Sequence, residues 1–259
     1  MRLAVAGKGG VGKTTISATL SRLAARRGLN VLAVDGDSNP NLASALGVDA
    51  TIDRVPFLPT GLVSRRPAGP ALTTPLDEVI AEYGVVGGDG VRLVRMGAPR
   101  HADEGCLCAA HATVSAVLAD VGDRKGFVTV LDLEASPEHL SRGTARHADV
   151  LMLVTEPYYR SLETIRRLAA LAAELAIPRV VVVANKVRSA DDGDAVGEFC
   201  ARHGLHYLGA VPWSDAVIDA DGCGIPALDY CPNDPAVQAI VTLGESLWPS
   251  VQLLVDGIR

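Results

Sequence analysis

A glycine-rich turn near the start of the chain limits the possible folds more than any other feature. The segment GKGGVGKT, residues 7–14, follows the apolar run RLAVA and precedes a stretch of helical periodicity at 14–27. A strand, a tight turn and a helix in this order form the first half of a βαβ unit, the building block of parallel sheets. The sequence therefore predicts an α/β fold.

Short apolar runs and helical patterns alternate along the rest of the chain. Hydrophobic residues make up 48% of the sequence but aromatic residues only 4%, which indicates a core of Val, Leu, Ala and Ile, typical of strands buried on both faces. We predict a mostly parallel central sheet of about seven to eight strands flanked by helices, in a single domain covering residues 1–259. The predicted strands are 2–7, 30–37, 91–97, 127–134, 149–157, 179–187 and 206–212. The predicted helices are 14–27, 109–121, 162–175, 192–203 and one starting near Pro235 that Pro249 interrupts.

Residues 51–90 interrupt this alternation. They contain five of the fifteen prolines and two glycine-rich or proline-rich stretches, RRPAGP and GVVGGDG. Such compositions favour turns and loops. We predict an irregular surface insertion around one short helix at about 76–83.

Charge and cysteine content indicate where the protein works. The net charge of −6 gives no overall attraction to nucleic acid or anionic membrane, so we expect neither as a partner. The sequence has no apolar run near the roughly 18 residues that span a bilayer and no export signal before the glycine turn. Five cysteines, an odd number, favour a reducing compartment over a disulfide framework. We expect a cytoplasmic protein.

The glycine turn fits the phosphate-binding pattern G-x-x-x-x-G-K-[ST] in the required strand–turn–helix context. Glycines allow several backbone N–H groups to point inward, and the helix N-terminus adds its dipole, so the loop forms an anion site. Lys13 would contact the β- and γ-phosphates of a nucleotide, and Thr14 would ligate Mg²⁺. The predicted nucleotide contacts in the loop are Gly7, Gly9, Gly10, Val11, Gly12, Lys13, Thr14 and Thr15.

A second lysine, Lys8, lies on the same loop. The stretch KGGVGKTT resembles the deviant Walker A loop of the dimeric P-loop ATPases (SIMIBI-type NTPases) that include MinD, ParA and nitrogenase iron protein. The resemblance implies a homodimer promoted by ATP, in which Lys8 crosses to the partner's nucleotide and is catalytic together with Lys13. The alternative is an exposed, solvated lysine.

Two acidic segments follow predicted strands. In the resembled family the switch I aspartate ends the second strand, which implies that Asp37 orients the attacking water and lies near Mg²⁺. Asp35 is predicted to be structural, and Asn41 is a candidate contact to phosphate or partner. Asp132 suits a grip on Mg²⁺, whereas Ser136 stands where family switch II segments commonly have glycine.

The segment NKVR, residues 185–188, follows a predicted strand. The resemblance implies that Asn185 hydrogen-bonds adenine, with Lys186 beside it, and that Pro212 and Trp213 cover the base; Trp213 could instead be a partly buried core residue. GTPases continue the pattern N-K-x-D with an aspartate, but this chain has Arg188. The sequence therefore favours ATP over GTP.

Cys106 and Cys108 form a C-x-C motif just before a predicted helix. Two thiolates fill half of a tetrahedral zinc site, and a second subunit would complete it. The alternative is two inert buried cysteines. His111 is a further candidate ligand. The alternative is that it binds no metal, as is more often true of a lone histidine on a helix face.

The C-x-C motif together with EHLSRGTARHADVLMLVTEP resembles the CooC-type nickel-insertion accessory ATPases of carbon monoxide dehydrogenase, over residues 1 to about 190. The resemblance implies that Cys106 and Cys108 bind Zn²⁺ or Ni²⁺ at the dimer interface. It also implies an Mg²⁺-dependent ATPase that acts as a metallochaperone for carbon monoxide dehydrogenase or a related enzyme. The alternatives are a spatial-organisation ATPase like MinD or ParA, an iron–sulfur scaffold, and a switch that has lost metal binding.

Overall fold

The computed structural model describes residues 1–48, 55–66, 69–97, 107–122, 124, 126–134, 140 and 143–248. Its strands are β1 (Arg2–Gly7), β2 (Asn30–Gly36), β3 (Val63–Arg66), β4 (Gly69–Leu72), β5 (Val85–Val86), β6 (Arg92–Arg95), β7 (Phe127–Leu133), β8 (Val150–Thr155), β9 (Arg179–Val187) and β10 (His206–Pro212). Its α-helices are α1 (Lys13–Arg26), α2 (Leu42–Ala45), α3 (Leu76–Tyr83), α4 (Cys108–Val121), α5 (Tyr159–Glu174), α6 (Ala190–Arg202), α7 (Asp215–Gly222), α8 (Ala227–Tyr230) and α9 (Pro235–Leu247).

Eight strands form one sheet in the order β10-β9-β8-β1-β7-β2-β6-β5. The strands run parallel except for the edge strand β5, which pairs antiparallel with β6. The chain leaves β1 to build one half of the sheet through β2, β6 and β7, and then builds the other half through β8, β9 and β10. Ligands of open α/β sheets bind at the carboxyl ends of the strands around such a switch point.

The sheet is buried on both faces, as its composition predicts. Leu3 and Val5 of β1 belong to the apolar layer that contains α1 and α9, whereas Ala4 and Ala6 belong to the opposite layer with α4 and α5. This alternation is the period of two that a strand imposes on its side chains. The prediction of an α/β fold with a mostly parallel sheet of seven to eight strands is confirmed.

The seven predicted strands are all present, with small differences at their ends. Helix α6 begins two residues earlier than predicted because Ser189 caps it, its Oγ accepting from the Asp192 N–H at 3.2 Å. Asp234 caps α9 in the same way, accepting from the Ala236 N–H at 2.8 Å. Pro249, predicted to interrupt α9, lies outside the described residues.

The insertion contains more regular structure than the sequence predicts. The helix expected at 76–83 is α3, but β3 and β4 form an antiparallel hairpin with Val63 opposite Leu72. Strand β5 extends the main sheet, with Val85 opposite Leu93. The description of this region as irregular is therefore wrong for these strands. In β4, pairing with β3 overrides the unfavourable Gly69 and Pro70, and β3 and β5 contain neither residue type.

Within the described ranges, none of the helices is both long enough and apolar enough to cross a bilayer.

Candidate nucleotide site

The loop between β1 and α1 follows a path that only glycine allows at two positions. A Cβ at Gly7 would lie 2.2 Å from the carbonyl oxygen of Val154 on β8. Gly12 has a left-handed φ of +91°, and a Cβ there would lie 2.3 Å from Nδ2 of Asn185. The loop can therefore pack tightly against the ends of β8 and β9.

A cavity of about 440 Å³ opens above this loop. Its walls come from the glycine turn, from the loop after β2, from Lys186 and from α7. The lining residues are Gly9, Gly10, Gly12, Lys13, Thr14, Thr15, Asp37, Asn39, Asn41, Lys186, Val217, Ile218 and Asp221. The structure thus brings together most of the predicted phosphate-binding residues with the predicted switch I aspartate.

Lys13 is the buried cation of this cavity, with 7% of its surface exposed. Its Nζ donates to the Lys8 carbonyl oxygen at 3.3 Å. Burial lowers the pKa of Lys13, and the negative charges of Asp132, Asp37 and Glu134 oppose that shift. A bound phosphate would supply the counter-charge that favours the ammonium form.

Thr14, which lines the cavity, forms a hydrogen-bonded group with the buried residues Ser17 and Asp132. Thr14 Oγ1 donates to Asp132 Oδ2 at 2.6 Å, and Ser17 Oγ donates to Oδ1 at 3.2 Å. Burial raises the pKa of Asp132 to about 6. Hydroxyl and carboxylate oxygens are ligands that Mg²⁺ prefers, so Thr14 and Asp132 fit the ion that a nucleotide would bring.

Asp35 and Asp37 have different surroundings although they are two residues apart. Asp35 is fully buried and accepts from the Asp37 N–H at 3.2 Å and from the Leu42 N–H at 2.9 Å. It therefore fixes both ends of the loop that carries Asp37, in agreement with a structural role. Asp37 lines the cavity, where its Oδ1 accepts from the Asn39 N–H at 2.8 Å.

A second, smaller cavity of about 80 Å³ adjoins the first and is lined mainly by apolar groups. It contains the predicted base-binding residues Asn185, Lys186, Pro212 and Trp213. Its other lining residues are Gly12, Thr15, Ile16, Val211, Ser214, Val217, Ile218, Ala236 and Ile240. Trp213 is half-buried at this cavity rather than in the core.

Asn185 and Lys186 also hold the phosphate loop in place. Asn185 Nδ2 donates to the Val11 carbonyl oxygen at 2.7 Å. Lys186 has a left-handed φ of 58°, and its Nζ donates to the Gly10 carbonyl oxygen and pairs with Glu156 at 3.1 Å. Sequence reasoning missed Glu156, although it ends a buried strand next to β1 and so occupies the edge where strand ends meet.

Lys8 lies outside both cavities. It is half-buried, and its Nζ is 5.7 Å from the centre of the Tyr158 ring, a cation–π distance. Tyr158 follows β8 and is 39% exposed. Within one chain, therefore, Lys13 faces the phosphate cavity and Lys8 does not.

The predicted metal motif is only partly described. Cys106 and Ser136 lie outside the described residues. Cys108 starts α4, is exposed, and is disulfide-bonded in the structure, so it would have to be reduced before it could bind a metal as a thiolate. His111 is 3% exposed and its Nδ1 lies 3.1 Å from Thr144 Oγ1, so it faces the protein interior. In the part of the chain that the structure describes, no three His, Cys, Asp or Glu side chains are grouped to hold a metal.

The model of the CobQ/CobB/MinD/ParA nucleotide binding domain matches residues 3–227. The chain belongs to this family. The matched range covers every predicted site residue and the larger cavity, and it includes all the lining residues of the smaller cavity except Ala236 and Ile240.

A curated relative supports the narrower resemblance. The carbon monoxide dehydrogenase accessory protein CooC of Rhodospirillum rubrum is 36% identical, over 96% of this chain and 98% of its own length. An uncharacterized ATP-binding protein of Methanocaldococcus jannaschii is 35% identical, over 87% and 90%. The resemblance to CooC-type proteins is confirmed, and it extends beyond residue 190, where the sequence motifs become weak.

Solved structures of the family share the fold. MinD from Pyrococcus horikoshii, complexed with Mg-ADP, superposes with a TM-score of 0.74 at 20% identity, over 98% of this chain and 99% of that one. A ParA family ATPase from Chlorobium tepidum gives a TM-score of 0.69 at 18% identity, over 94% and 96%. The predicted MinD/ParA-type P-loop architecture is confirmed.

Proposed function

We propose that this protein is an Mg²⁺-dependent ATPase that forms a homodimer when it binds ATP and acts as a metallochaperone for carbon monoxide dehydrogenase or a related metalloenzyme. One observation carries the ATPase part of the proposal. Lys13, Thr14 and Asp37 line one cavity, and the Asp132 carboxylate accepts a hydrogen bond from Thr14, while Lys8 of the same loop does not line this cavity. The kinship with CooC supports the client.

Hydrolysis would follow from the positions of these groups. The backbone N–H groups of the loop and the Lys13 ammonium would hold the β- and γ-phosphates. Mg²⁺, held by Thr14 with Asp132 and Asp37 nearby, would neutralise part of the triphosphate charge. Asp37 would orient a water for in-line attack on the γ-phosphorus; the bond to the bridging oxygen breaks, and ADP and phosphate leave.

A second copy would complete the site. Lys8 would leave the Tyr158 ring and reach the partner's γ-phosphate, adding positive charge where the transition state gains negative charge. Because each chain supplies one lysine to the other, ATP binding and dimer formation would be coupled.

The cargo would bind between the two subunits. Cys106 and Cys108 of each chain, as thiolates, would offer four sulfur ligands to Zn²⁺ or Ni²⁺ across the two-fold axis. Closing and opening of the dimer with the nucleotide state would then bind and release the metal for the client. We expect this exchange to take place in the cytoplasm.

Metal analysis and sedimentation together test this function. Untagged protein is reduced, loaded with Ni²⁺ or Zn²⁺, and sedimented in Mg-ATP and in Mg-ADP. We expect a dimer with ATP and about one metal per dimer, with the metal lost in Cys106→Ser/Cys108→Ser. Cys223→Ser, which removes an exposed free thiol, is the matched control.

Two results would contradict the proposal. If the double serine variant and the wild type carry equal, negligible metal, the metallochaperone function is wrong. If ATP leaves the protein monomeric, the dimeric switch is wrong as well.

A further inference from the structure

We propose that Arg188 is a positioning residue that holds Trp213 against the base of the nucleotide, in a cavity whose lining favours adenine over guanine. The inference rests on the ATP-binding part of the proposed function and assigns its base specificity. Arg188 lines neither cavity, so it would act through Trp213 alone.

Three contacts fix the Trp213 ring. Its backbone N–H donates to the Val187 carbonyl oxygen at 2.8 Å, which joins the ends of β9 and β10. Its Nε1 donates to Asp215 Oδ1 at 2.9 Å. The guanidinium carbon of Arg188 lies 3.8 Å from the ring centre, so the cation stacks on a face of the indole.

Arg188 is itself held in place. Its backbone N–H donates to Asp192 Oδ2 at 2.9 Å, and Asp192 lies in the first turn of α6. The backbone from which the Arg188 side chain extends is therefore fixed at the end of β9. A planar guanidinium stacks on an aromatic ring in a way that the compact ammonium of lysine cannot reproduce.

The chemistry of the small cavity favours adenine. Guanine presents its N1–H and its 2-amino group side by side, and a carboxylate accepts both. Among the described residues that line this cavity, there is no Asp or Glu. Asp215, the nearby carboxylate, already accepts from Trp213. Asn185 offers the donor and acceptor that the adenine edge requires, and Arg188, where a GTPase has aspartate, only donates.

Titration with fluorescent mant-ATP and mant-GTP tests this pair. We expect Arg188→Ala to weaken mant-ATP binding about two- to fivefold, as loss of an exposed cation–π contact would. Arg188→Lys should fall between Arg188→Ala and the wild type. Trp213→Ala should weaken binding at least as much, and Arg188→Ala/Trp213→Ala no more than Trp213→Ala alone, because Arg188 acts through the ring.

Two further measurements separate positioning from general damage. Inorganic tripolyphosphate, measured by its competition with mant-ATP, should bind Arg188→Ala and the wild type with the same affinity, because this ligand has no base. Arg188→Asp should narrow the preference for mant-ATP over mant-GTP. Arg167→Ala, which removes an exposed arginine on α5, is the control and should match the wild type.

The outcomes that overturn the inference differ from those that overturn the proposed function. Equal mant-ATP affinity in Arg188→Ala and the wild type, or additive losses in the double variant, would show that Arg188 does not act through Trp213. Equal affinity of the wild type for the two nucleotides would refute the base preference. A wild type that binds neither nucleotide would instead contradict the ATPase function.

Discussion

Asp35 and Asp132 are two buried carboxylates in direct register on the neighbouring strands β2 and β7. Burial, with repulsion from Asp132, raises the pKa of Asp35 to about 7, and burial raises the pKa of Asp132 to about 6. Two such groups destabilise a sheet unless a cation lies close to them. Lys13 is one such cation, and Mg²⁺ would be the second.

These carboxylates predict how stability depends on pH without nucleotide. Both folded pKa values lie above the ordinary value of 3.8, so the folded state keeps protons that the unfolded state has released. The free energy of unfolding should therefore fall, by roughly 3–6 kcal/mol, as the pH rises from about 4 to about 7. The pKa values of Asp89 and Asp149 are lowered by arginine partners, so protonation of these two groups changes the free energy of unfolding only below this pH range.

Urea denaturation between pH 4.5 and 8 measures this slope. Asp132→Asn should flatten it, because the amide has no proton to lose and the Thr14 and Ser17 hydroxyls can rotate to meet it. Asp219→Asn, which changes an exposed carboxylate on α7, should leave the slope intact. A slope of opposite sign would mean that these aspartates are ionised in the folded protein.

At the scale of helices and strands, the sequence predicts the elements with a clear apolar period and misses those without one. The buried strands and α1, α4, α5, α6 and α9 follow from apolar runs and helical spacing. Helix α7 was not predicted, although Val217 and Ile218 on it line both cavities. The equally short α3 was predicted because its apolar residues are spaced along one helix face, whereas the adjacent Val217 and Ile218 of α7 give no such pattern, so tertiary contacts decide where α7 lies.

The cap of α7 connects this helix to nucleotide binding. Ser214 Oγ accepts from the Val217 N–H at 3.2 Å and donates to Asp234 Oδ2 at 2.9 Å, which joins α7 to the cap of α9. Ser214→Ala should lower the free energy of unfolding by about 1 kcal/mol. It should also weaken mant-ATP binding severalfold, because α7 carries one wall of the cavities.

Ser189→Ala is the matched control for this prediction. It removes the equivalent cap of α6, whose Ser189 Oγ accepts from the Asp192 N–H at 3.2 Å. We expect a similar loss of stability measured by urea denaturation, with a smaller effect on mant-ATP binding. Equal losses of affinity in the two variants would mean that α7 has no special role in the site.

For the whole molecule, the strand order explains why distant sequence motifs meet. Because these strands run parallel, the loops after β1, β2, β7, β8, β9 and β10 all begin at the same edge of the sheet. The strand order places β1 between β7 and β8, so the loop after β1 lies between theirs. The sequence identifies each motif separately, and the parallel order predicts their proximity. The role that we propose for Lys8 cannot be predicted from the spacing of one chain, because it requires a second copy.

Mixing two inactive variants tests whether the active unit is a dimer. Lys8→Ala should bind ATP, and Asp37→Ala should bind ATP while its turnover falls about 100-fold or more. In a hybrid dimer, the Lys8→Ala chain keeps its own Asp37 and receives Lys8 from the Asp37→Ala chain. Phosphate release from an equimolar mixture should therefore recover to about a quarter of the wild-type rate, since half the dimers each hold one intact site.

Two comparisons complete this test. Lys8→Ala mixed with Lys8→Ala/Asp37→Ala should remain inactive, because no chain in that mixture supplies the lysine. If Lys8→Ala alone hydrolyses ATP at the wild-type rate, the lysine does not cross between subunits.

The missing side chain at Gly12 leaves the space through which the Asn185 amide reaches the Val11 carbonyl oxygen. The Asn185 amide thus contacts both the smaller cavity, where we propose that the base binds, and the phosphate loop, so ligand binding at either place would alter binding at the other by the same coupling free energy. Pyrophosphate and ADP both present two phosphoryl groups to Lys13, but only ADP carries a base. The two ligands should therefore change the conformation of the phosphate loop to different extents.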